Sequence, residues 1–559
     1  MISLLSYNVD YAAPLILKSL THLGRYKPLI NVDPNILEEL APVCKDFAVE
    51  GTPKQAKHAV RCIFVNTQAV VNGGTDCANT PKMIHPIFND IMDNLRLTLK
   101  PNCLKQRTKV VTMGHIAYNM PKAFADKIKN MIARRIVKEL LIQPVPEDRV
   151  CSKIEGDWCE QEQLPTDTLC KLDGLKTMAR WLLGLKDDEA SAKKTFRMLI
   201  AFIHHGGDLL NHKRMFAAES SWFRVAAACA MLKVCEQKGV GDQYTAEQYY
   251  SLAQLMCDPV PQVREMFARK LHKGLNKGLP SNCLPLDFMG FYAFAGNETD
   301  KKLLDLKRQF LEADINRRRE YLKTIQTTTP DISSEQRLHL LPDFILAFAI
   351  PILVHDPKFT DHEDRVQLKQ IEKCLRFILD PLMAKTEAFS YSFYKNLIEL
   401  MKDHYVVTPN EDIQAYNLKM WACCDLANYI ICSKMGQCDL TPNKTFNVPI
   451  KLPPLYFQKP PPESQDFLPN TKIYIPYDMY SLITTLGPAK KIANALKPTT
   501  SGGHSTIKSN ADKRPASEHL TSIDQNSLEN ASLFDGVKDD NTEPSAKRTR
   551  TNAMRAGKT

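Results

Sequence analysis

The chain has 559 residues, of which 44% are hydrophobic and 24% are charged. This composition provides for a large buried core and excludes a wholly disordered chain, a collagen and a small disulfide-linked scaffold. The net charge of +10 is mildly basic for this length, so it neither excludes nor requires an acidic partner.

The sequence carries no signal for secretion, a membrane or zinc. The first residues, MISLLSYNVD, have no basic residue before the apolar ones and do not resemble a signal peptide. The longest strongly apolar stretch, 344–354, has 11 residues, whereas a membrane-spanning helix needs about 20. The 16 cysteines include no C-x-x-C pair. We therefore expect reduced, mostly buried thiols, no zinc site and no membrane partner.

Apolar residues recur at spacings of three and four along most of the chain, which predicts helices. We expect paired helices near 53–66 and 83–99, 104–120 and 124–141, 171–186 and 193–205, and 220–236 and 245–257. Further helices are expected near 259–278, 286–295, 301–324, 338–354, 364–384, 389–403 and 413–435.

A weak internal repeat accompanies the helices. Four similar segments begin at Lys57, Lys109, Arg224 and Val263. They resemble the second helix of a helical pair. Second helices that recur at intervals of roughly 40 to 50 residues are typical of HEAT or armadillo repeats. The sequence therefore predicts an all-α fold, a HEAT-repeat α-solenoid, over residues 1–440.

The clearest repeat signal is Asp258-Pro259-x-x-x-Val263-Arg264, the turn and helix start of a HEAT unit. Pro259 cannot continue the preceding helix, and Asp258 can cap the next one. We expect Val263 to face the core and Arg264 to bond an acidic residue of a neighbouring unit.

Two segments break the helical pattern. Residues 441–495 are rich in proline and aromatic residues, which favours an extended segment packed on the solenoid. Residues 496–559 are mainly Ser, Thr, Asn, Lys and Asp, a composition typical of a disordered tail. The tail contains Lys513-Arg514 and Lys547-Arg548-x-Arg550, which suit either a nuclear import signal or an ordinary solvated tail.

Catalytic and cofactor motifs are missing from the sequence. There is no G-x-G-x-x-G, G-x-S-x-G or H-E-x-x-H, and the terminal Gly557-Lys558-Thr559 lacks the first glycine of a P-loop. His362-Glu363-Asp364 lies at a predicted helix start, where capping explains the acidic residues. We expect no enzyme activity, no cofactor and no metal.

Basic residues at helical spacing are the remaining candidates for a binding site. Two rows share one helix flank each, and their members are Lys270, Lys273, Lys277, Lys369, Lys373 and Arg376. A solvated helix face explains either row alone. Stacked repeats can instead align such rows into a strip that suits an acidic peptide, phosphate groups or nucleic acid.

Several long segments resemble one known family. They are Gly51-Thr52-Pro53-Lys54-Gln55-Ala56-Lys57-His58-Ala59-Val60-Arg61-Cys62-Ile63, Met113-Gly114-His115-Ile116-Ala117, Met178-Ala179-Arg180-Trp181-Leu182-Leu183-Gly184, Arg318-Arg319-Glu320-Tyr321-Leu322-Lys323 and Leu340-Leu341-Pro342 with His355-Asp356-Pro357. In order and content, these segments are similar to the cohesin regulators named for precocious dissociation of sisters. The resemblance covers residues 1–490 and corresponds to the central and C-terminal part of the family.

The resemblance implies a non-catalytic HEAT-repeat scaffold that regulates sister-chromatid cohesion. It implies that the chain is nuclear, binds the kleisin subunit of the cohesin complex, associates with chromatin through cohesin, and modulates ring release and maintenance. A Wapl-type release factor is an implied partner, although the N-terminal half that carries the family's docking surface for Wapl-type and sororin-type motifs is expected to be missing. The alternative is a nucleic-acid-binding or nuclear-transport-type helical-repeat protein that uses its basic rows.

Overall fold

The described part of the chain is built almost entirely from helices. The computed structural model describes residues 12–67, 84–146, 154–210, 214–280, 282–328, 333–384, 390–408, 412–436, 449–461 and 472–476, with residues 5, 149, 469 and 479 besides. The chain divides into two units, Met1–Ser517 and Glu518–Thr559, and all described residues belong to the first. The predicted tail 496–559 lies outside the described residues.

The first eleven α-helices form the repeats. They are α1 (Ala12–Tyr26), α2 (Pro34–Val49), α3 (Pro53–Asn66), α4 (Ile84–Thr98), α5 (Gln106–Asn119), α6 (Ala125–Met131, continued by the π-helix Ile132–Leu141), α7 (Thr166–Leu185), α8 (Glu189–His204), α9 (Ala217–Cys235), α10 (Ala246–Ala253) and α11 (Pro261–Asn276). Short 3-10 turns lie at Leu29–Asn31, Gln161–Gln163, Val240–Asp242 and Gln254–Cys257.

The remaining elements complete the C-terminal part. They are a 3-10 helix (Leu286–Asn297), α12 (Lys301–Thr328), α13 (Ser334–Leu340), a 3-10 turn (Pro342–Ile345), α14 (Leu346–Val354), α15 (Arg365–Leu382), α16 (Tyr391–Lys402), β1 (Tyr405–Val406), α17 (Ile413–Gly436) and β2 (Phe457–Gln458). The two strands pair antiparallel, with Val406 opposite Phe457. Among the described residues the fold is therefore all-α apart from one small ladder, and the expected HEAT-repeat solenoid is confirmed.

The helices stack in two layers. The second helices α1, α3, α5, α7, α9 and α11 contact one another in that order. Side chains reinforce the stacking of the repeats: Thr177 Oγ1 of α7 donates to the Val110 carbonyl of α5 at 2.9 Å, and Thr112 Oγ1 of α5 donates to the Ala48 carbonyl of the first helix α2 at 2.5 Å. The four segments that carry the weak repeat all lie on these second helices.

The predicted helix pairing is wrong by one helix. The hairpin partner of α3 is α2, not α4, and α9 likewise packs on α8 before it. Helices α1 and α2 precede the first predicted helix. Both contain proline, Pro14 near the start of α1 and Pro42 inside α2, and proline is ordinarily a sign of a helix end.

Local signals explain where the helices begin. Helix α3 starts with a capping box, in which Thr52 Oγ1 accepts from the Gln55 amide at 3.2 Å and Gln55 Oε1 accepts from the Thr52 amide at 2.6 Å. Helix α15 is capped by Asp364, whose carboxylate accepts from the Val366 amide at 2.7 Å. The predicted capping role of Asp364 is confirmed.

The Asp258–Arg264 motif behaves as expected except that Asp258 does not cap α11, whose N-cap residue is Val260. Val263 is fully buried, and Arg264 pairs with Glu298 at 2.8 Å. Asp258 accepts from the Val260 amide at 2.9 Å, so it closes the turn before α11, whose first residue is Pro261. Its carboxylate also pairs with Arg224 of the preceding repeat at 2.7 Å.

The single helix predicted near 338–354 is broken in the structure. Leu341 is extended, with φ −73° and ψ 114°, because the ring of Pro342 disfavours the helical conformation of the residue before it. Helix α13 ends there, and the chain turns by 76° into the 3-10 turn and α14. Among the described residues no single helix is long and apolar enough to cross a membrane, although this bent pair meets those limits by length and composition. Helix α14 is deeply buried in the core.

The described part of the proline–aromatic segment contacts the helices. Tyr456 is fully buried, and its ring centroid lies 4.8 Å from that of Tyr249. Tyr474 packs on Trp421 at 5.0 Å, and its amide donates to Asp425 Oδ2 at 2.7 Å. The predicted domain boundaries at 440 and 495 stay predictions.

Candidate partner-binding surface

The first predicted basic row lies at α11, and its three lysines differ in how exposed their side chains are. Lys273 is exposed, whereas the side chains of Lys270 and Lys277 are only 12% and 22% exposed. Both of these turn toward Glu236, just after the end of α9. Lys277 Nζ lies 3.0 Å from Glu236 Oε2, and Lys270 Nζ lies 4.0 Å from Oε1. The row is thus an inter-repeat contact as well as a surface feature.

Glu236 is surrounded by lysines from two repeats. Lys233 Nζ of α9 lies 2.6 Å from Glu236 Oε2, beside Lys270 and Lys277. Burial raises the pKa of Glu236, but the lysine charges outweigh it and hold the pKa below its ordinary value. Burial lowers the pKa of Lys233 to about 8. The charge of Glu236 opposes this shift, whereas the charges of Lys277 and Lys270 add to it. The lysine charges therefore exceed the charge of the carboxylate on which they converge.

The positive charge continues along the neighbouring second helices. Burial raises the pKa of Cys229 to about 11, and the charges of Lys270 and Lys176 oppose that shift. Lys176 of α7 and Lys270 of α11 therefore both lie near Cys229 of the intervening helix α9. The pKa of His115 lies well below its ordinary range, first because the side chain is buried and then because of the charges of Arg180, Lys57 and Arg61 among others. The cations of α3 and α7 therefore flank α5.

We name this surface the basic strip. Its members lie on, or directly follow, the consecutive second helices α3, α5, α7, α9 and α11: Lys57, Arg61, His115, Lys176, Arg180, Lys233, Lys270, Lys273 and Lys277. Two largely buried carboxylates, Asp173 and Glu236, lie against it. Asp173 contacts Arg107 at 3.0 Å and Lys176 at 3.3 Å. The strip is consequently a region of positive potential that runs across several repeats.

The second predicted row lies on α15 and differs from the first. Lys369 and Lys373 are exposed. Arg376 pairs within its own helix with Glu372 at 2.8 Å. The two side chains are 35% and 22% exposed, and a partly solvated pair within one helix contributes only about 0–1 kcal/mol. The row therefore has the character of a solvated helix face.

The strip residues outside α11 were not among the candidates from the sequence. Arg180 and His115 stand inside two of the family-like segments, and Lys233 stands alone at the end of a long buried helix. What identifies them is that they lie on second helices that stack on one another. To find them from the sequence, one must first pair the helices correctly. Within the described ranges, no three His, Cys, Asp or Glu residues lie close enough to hold a metal ion.

Comparisons with known proteins give a consistent result. A family model described as sister chromatid cohesion protein PDS5 matches residues 2–458. The chain is 34% identical over 476 residues to the Xenopus laevis sister chromatid cohesion protein PDS5 homolog B-A, a match that covers 84% of this chain and 30% of that protein. The Homo sapiens PDS5 homolog B is 33% identical with the same coverage.

The chain spans about 30% of the length of the curated relatives that it matches. Among solved structures, an engineered protein aligns with a TM-score of 0.25 and 11% identity over 78% of this chain and 92% of that one. That likeness is too small to support an inference.

Proposed function

The chain belongs to the PDS5 family of sister chromatid cohesion proteins, and we propose that it is a non-catalytic scaffold that regulates cohesion by binding the cohesin complex. In this proposal the chain acts in the nucleus and reaches chromatin through cohesin. Family membership supports the general role, and the basic strip supports the mode of binding.

The partner surface in this proposal is the basic strip, and the partner is an acidic stretch of the kleisin subunit. An extended acidic segment can follow stacked helices and form charge-assisted hydrogen bonds with one or two cations per repeat. Lys273 and Lys277 are accessible at one end of the strip, and Lys57 and Arg61 lie toward the other. Because each contact is weak, affinity arises from several repeats acting together.

Binding of this type explains how a scaffold modulates ring release and maintenance without catalysis. A kleisin segment held along the strip is kept in one place relative to any factor bound elsewhere on the same protein. A Wapl-type release factor is the second proposed partner.

A second candidate function is direct binding of nucleic acid. It is favoured by the same excess of positive charge on the strip. The two functions differ in their dependence on salt, since an affinity that depends on phosphate contacts falls steeply as salt rises.

The test is binding of the recombinant kleisin subunit and of duplex DNA to the full chain at several salt concentrations. The strip variant is Lys270→Gln, Lys273→Gln and Lys277→Gln combined, because glutamine removes the charges without placing a new carboxylate beside Glu236. We expect a loss of kleisin affinity of about 1–3 kcal/mol from three partly exposed contacts. The matched control is Lys369→Gln, Lys373→Gln and Arg376→Gln, for which we expect wild-type binding.

Three results contradict the proposal. Wild-type chain that does not bind kleisin refutes the partner. Equal effects of the two triple variants refute the strip as the surface. Strong, steeply salt-dependent DNA binding without kleisin binding favours the second candidate.

A further inference from the structure

Arg180 is half-buried and differs from three other arginines in the repeats because one end of its guanidinium has no partner among the described residues. Its Nη1 is buried and has no hydrogen-bond partner among the described residues. Three other arginines each have a carboxylate between 2.5 and 2.8 Å away: Arg149 with Glu219, Arg224 with Asp258, and Arg264 with Glu298. A buried polar group without a partner is destabilising, so one that persists calls for an explanation.

A second unpartnered atom lies on the adjacent helix. His115 of α5 is 4% exposed, and its Nε2 has no hydrogen-bond partner within the described ranges. His115 and Arg180 lie on helices α5 and α7, which pack against each other, and after burial the charge of Arg180 is the largest cause that lowers the pKa of His115. A neutral imidazole donates from one ring nitrogen, which allows His115 and Arg180 to donate to one acceptor.

Backbone contacts fix the positions of both residues. A Cβ on Gly114 of α5 would lie 2.6 Å from Thr177 Oγ1, and a Cβ on Gly184 of α7 would lie 2.5 Å from the Ala117 carbonyl oxygen. The helices therefore touch directly at both ends of the stretch that carries His115 and Arg180. A site held in this way loses little freedom when it binds, which favours affinity.

The surroundings favour an anion. Burial lowers the pKa of Arg180 to about 10; the charge of Asp173 opposes this shift, and the charge of Arg61 on α3 adds to it. Asp173 itself contacts Arg107 at 3.0 Å and Lys176 at 3.3 Å. Because Asp173 is already paired with these two cations, an additional negative group beside Arg180 would meet the guanidinium charge and two unused donors.

We propose that Arg180 and His115 form a receptor for one carboxylate of an acidic peptide bound along the basic strip. The planar guanidinium fork matches the two oxygens of a carboxylate, and His115 Nε2 supplies one more donor. This inference rests on the proposed function for its ligand class, an aspartate or glutamate side chain of the partner. It adds a specific central contact to a surface whose other contacts are diffuse.

The first test needs no ligand and measures the melting temperature of Arg180→Met. If Arg180 is kept for binding, removing its unpartnered charge leaves the melting temperature unchanged or raises it. The matched control is Arg224→Met, which strands the 6%-exposed Asp258 and should melt earlier. A fall for Arg180→Met as large as that of the control would show a structural arginine and overturn the proposal.

The second test measures binding of a fluorescent deca-glutamate peptide to the full chain, with deca-glutamine as the neutral probe. We expect Arg180→Met to weaken deca-glutamate binding about tenfold to a hundredfold, the range for a lost hydrogen-bonded charge pair. His115→Leu, which removes the donor at similar volume, should lose about threefold to tenfold. Arg180→Lys should fall between wild type and Arg180→Met, because it keeps the charge without the fork.

The outcomes separate this proposal from the function on which it rests. If the wild-type chain binds neither deca-glutamate nor kleisin, the proposed function is refuted. If the wild-type chain binds deca-glutamate and Arg180→Met binds it equally well, only the proposed carboxylate receptor is refuted. Loss of oligonucleotide binding in Arg180→Met, with peptide binding intact, would assign the pair to phosphate and overturn the proposal.

Discussion

Replacing Glu236 by glutamine tests whether the lysine cluster is an integral part of the repeat interface. The substitution removes the carboxylate contacted by Lys233, Lys270 and Lys277 at 2.6, 4.0 and 3.0 Å. Because the Glu236 side chain is only 6% exposed, water does not replace the lost charge. Removing one partner of a buried ion pair costs about 3–5 kcal/mol. The glutamine amide retains one acceptor oxygen, so we expect a loss of about 3 kcal/mol.

The assay must report on this interface, since a repeat protein is stabilised unit by unit. Hydrogen exchange of amides in α9 and α11 measures local opening, and urea unfolding followed by circular dichroism measures the whole chain. The double variant with Lys233→Met serves as the internal control, because it removes one of the charges left uncompensated. We expect the double variant to be less destabilised than Glu236→Gln by about 1 kcal/mol or more.

Two results would refute this reasoning. Local stability of Glu236→Gln within about 0.5 kcal/mol of wild type would mean that the lysines are solvated. Weaker binding of an acidic kleisin segment by the folded variant would also contradict it. The variant makes the strip more positive, so binding should become tighter.

Two further predictions concern stability. The pKa of Lys233, about 8 in the folded chain, lies below the unfolded value of about 10.4. The unfolded state therefore binds more protons between these values, and stability rises with pH from about 8 to 10.4 by on the order of 3 kcal/mol. The difference in unfolding free energy between wild type and Lys233→Met, measured by urea unfolding at several pH values, should show this rise. The same pH dependence in both proteins would contradict the prediction. Val263→Asp places an unpaired carboxylate at a fully buried position and should cost several kcal/mol, about 3 or more. The same change at Val366, which is 67% exposed, should scarcely move the melting temperature.

Elements with complete local signals were predictable from the sequence. Helix α3 spans the predicted residues because Thr52 and Gln55 cap its start and an apolar stripe continues behind them. Val263 faces the core because its neighbours on the same face are apolar too. Even the acidic partner of Arg264 was expected, although nothing local identifies it as Glu298, 34 positions along the chain.

Elements that depend on non-local packing were not predictable. The break at Pro342 follows from a local rule, yet the apolar run on both sides of it continues the helical pattern. Pro42 stands inside α2, where a breaker is ordinarily expected. Because α2 is not predicted, α3 becomes the first helix of a predicted pair and not the second, which shifts the pairing of the later helices by one.

The candidate site divides in the same way. The spacing of Lys270, Lys273 and Lys277 on one helix flank was evident from the sequence, and so was the idea that stacking can join such rows. Glu236 beneath two of these lysines was not evident, because it belongs to the preceding repeat. The role of Arg180 also depends on a neighbouring helix, because His115 of α5 supplies the second donor that has no partner among the described residues.

The organisation of the strip bears on how a partner would be released. The cations come from several helix pairs, so the whole surface exists only while neighbouring repeats remain stacked. A partner that contacts several repeats gains affinity from each and also stabilises their stacking, because ligand binding favours the conformation that it recognises. Conversely, opening one repeat interface, such as the one around Glu236, separates the strip into shorter pieces. Several weak contacts in series lose affinity steeply when their number falls. Such a surface can therefore hold a long acidic segment firmly and still release it after a small local change.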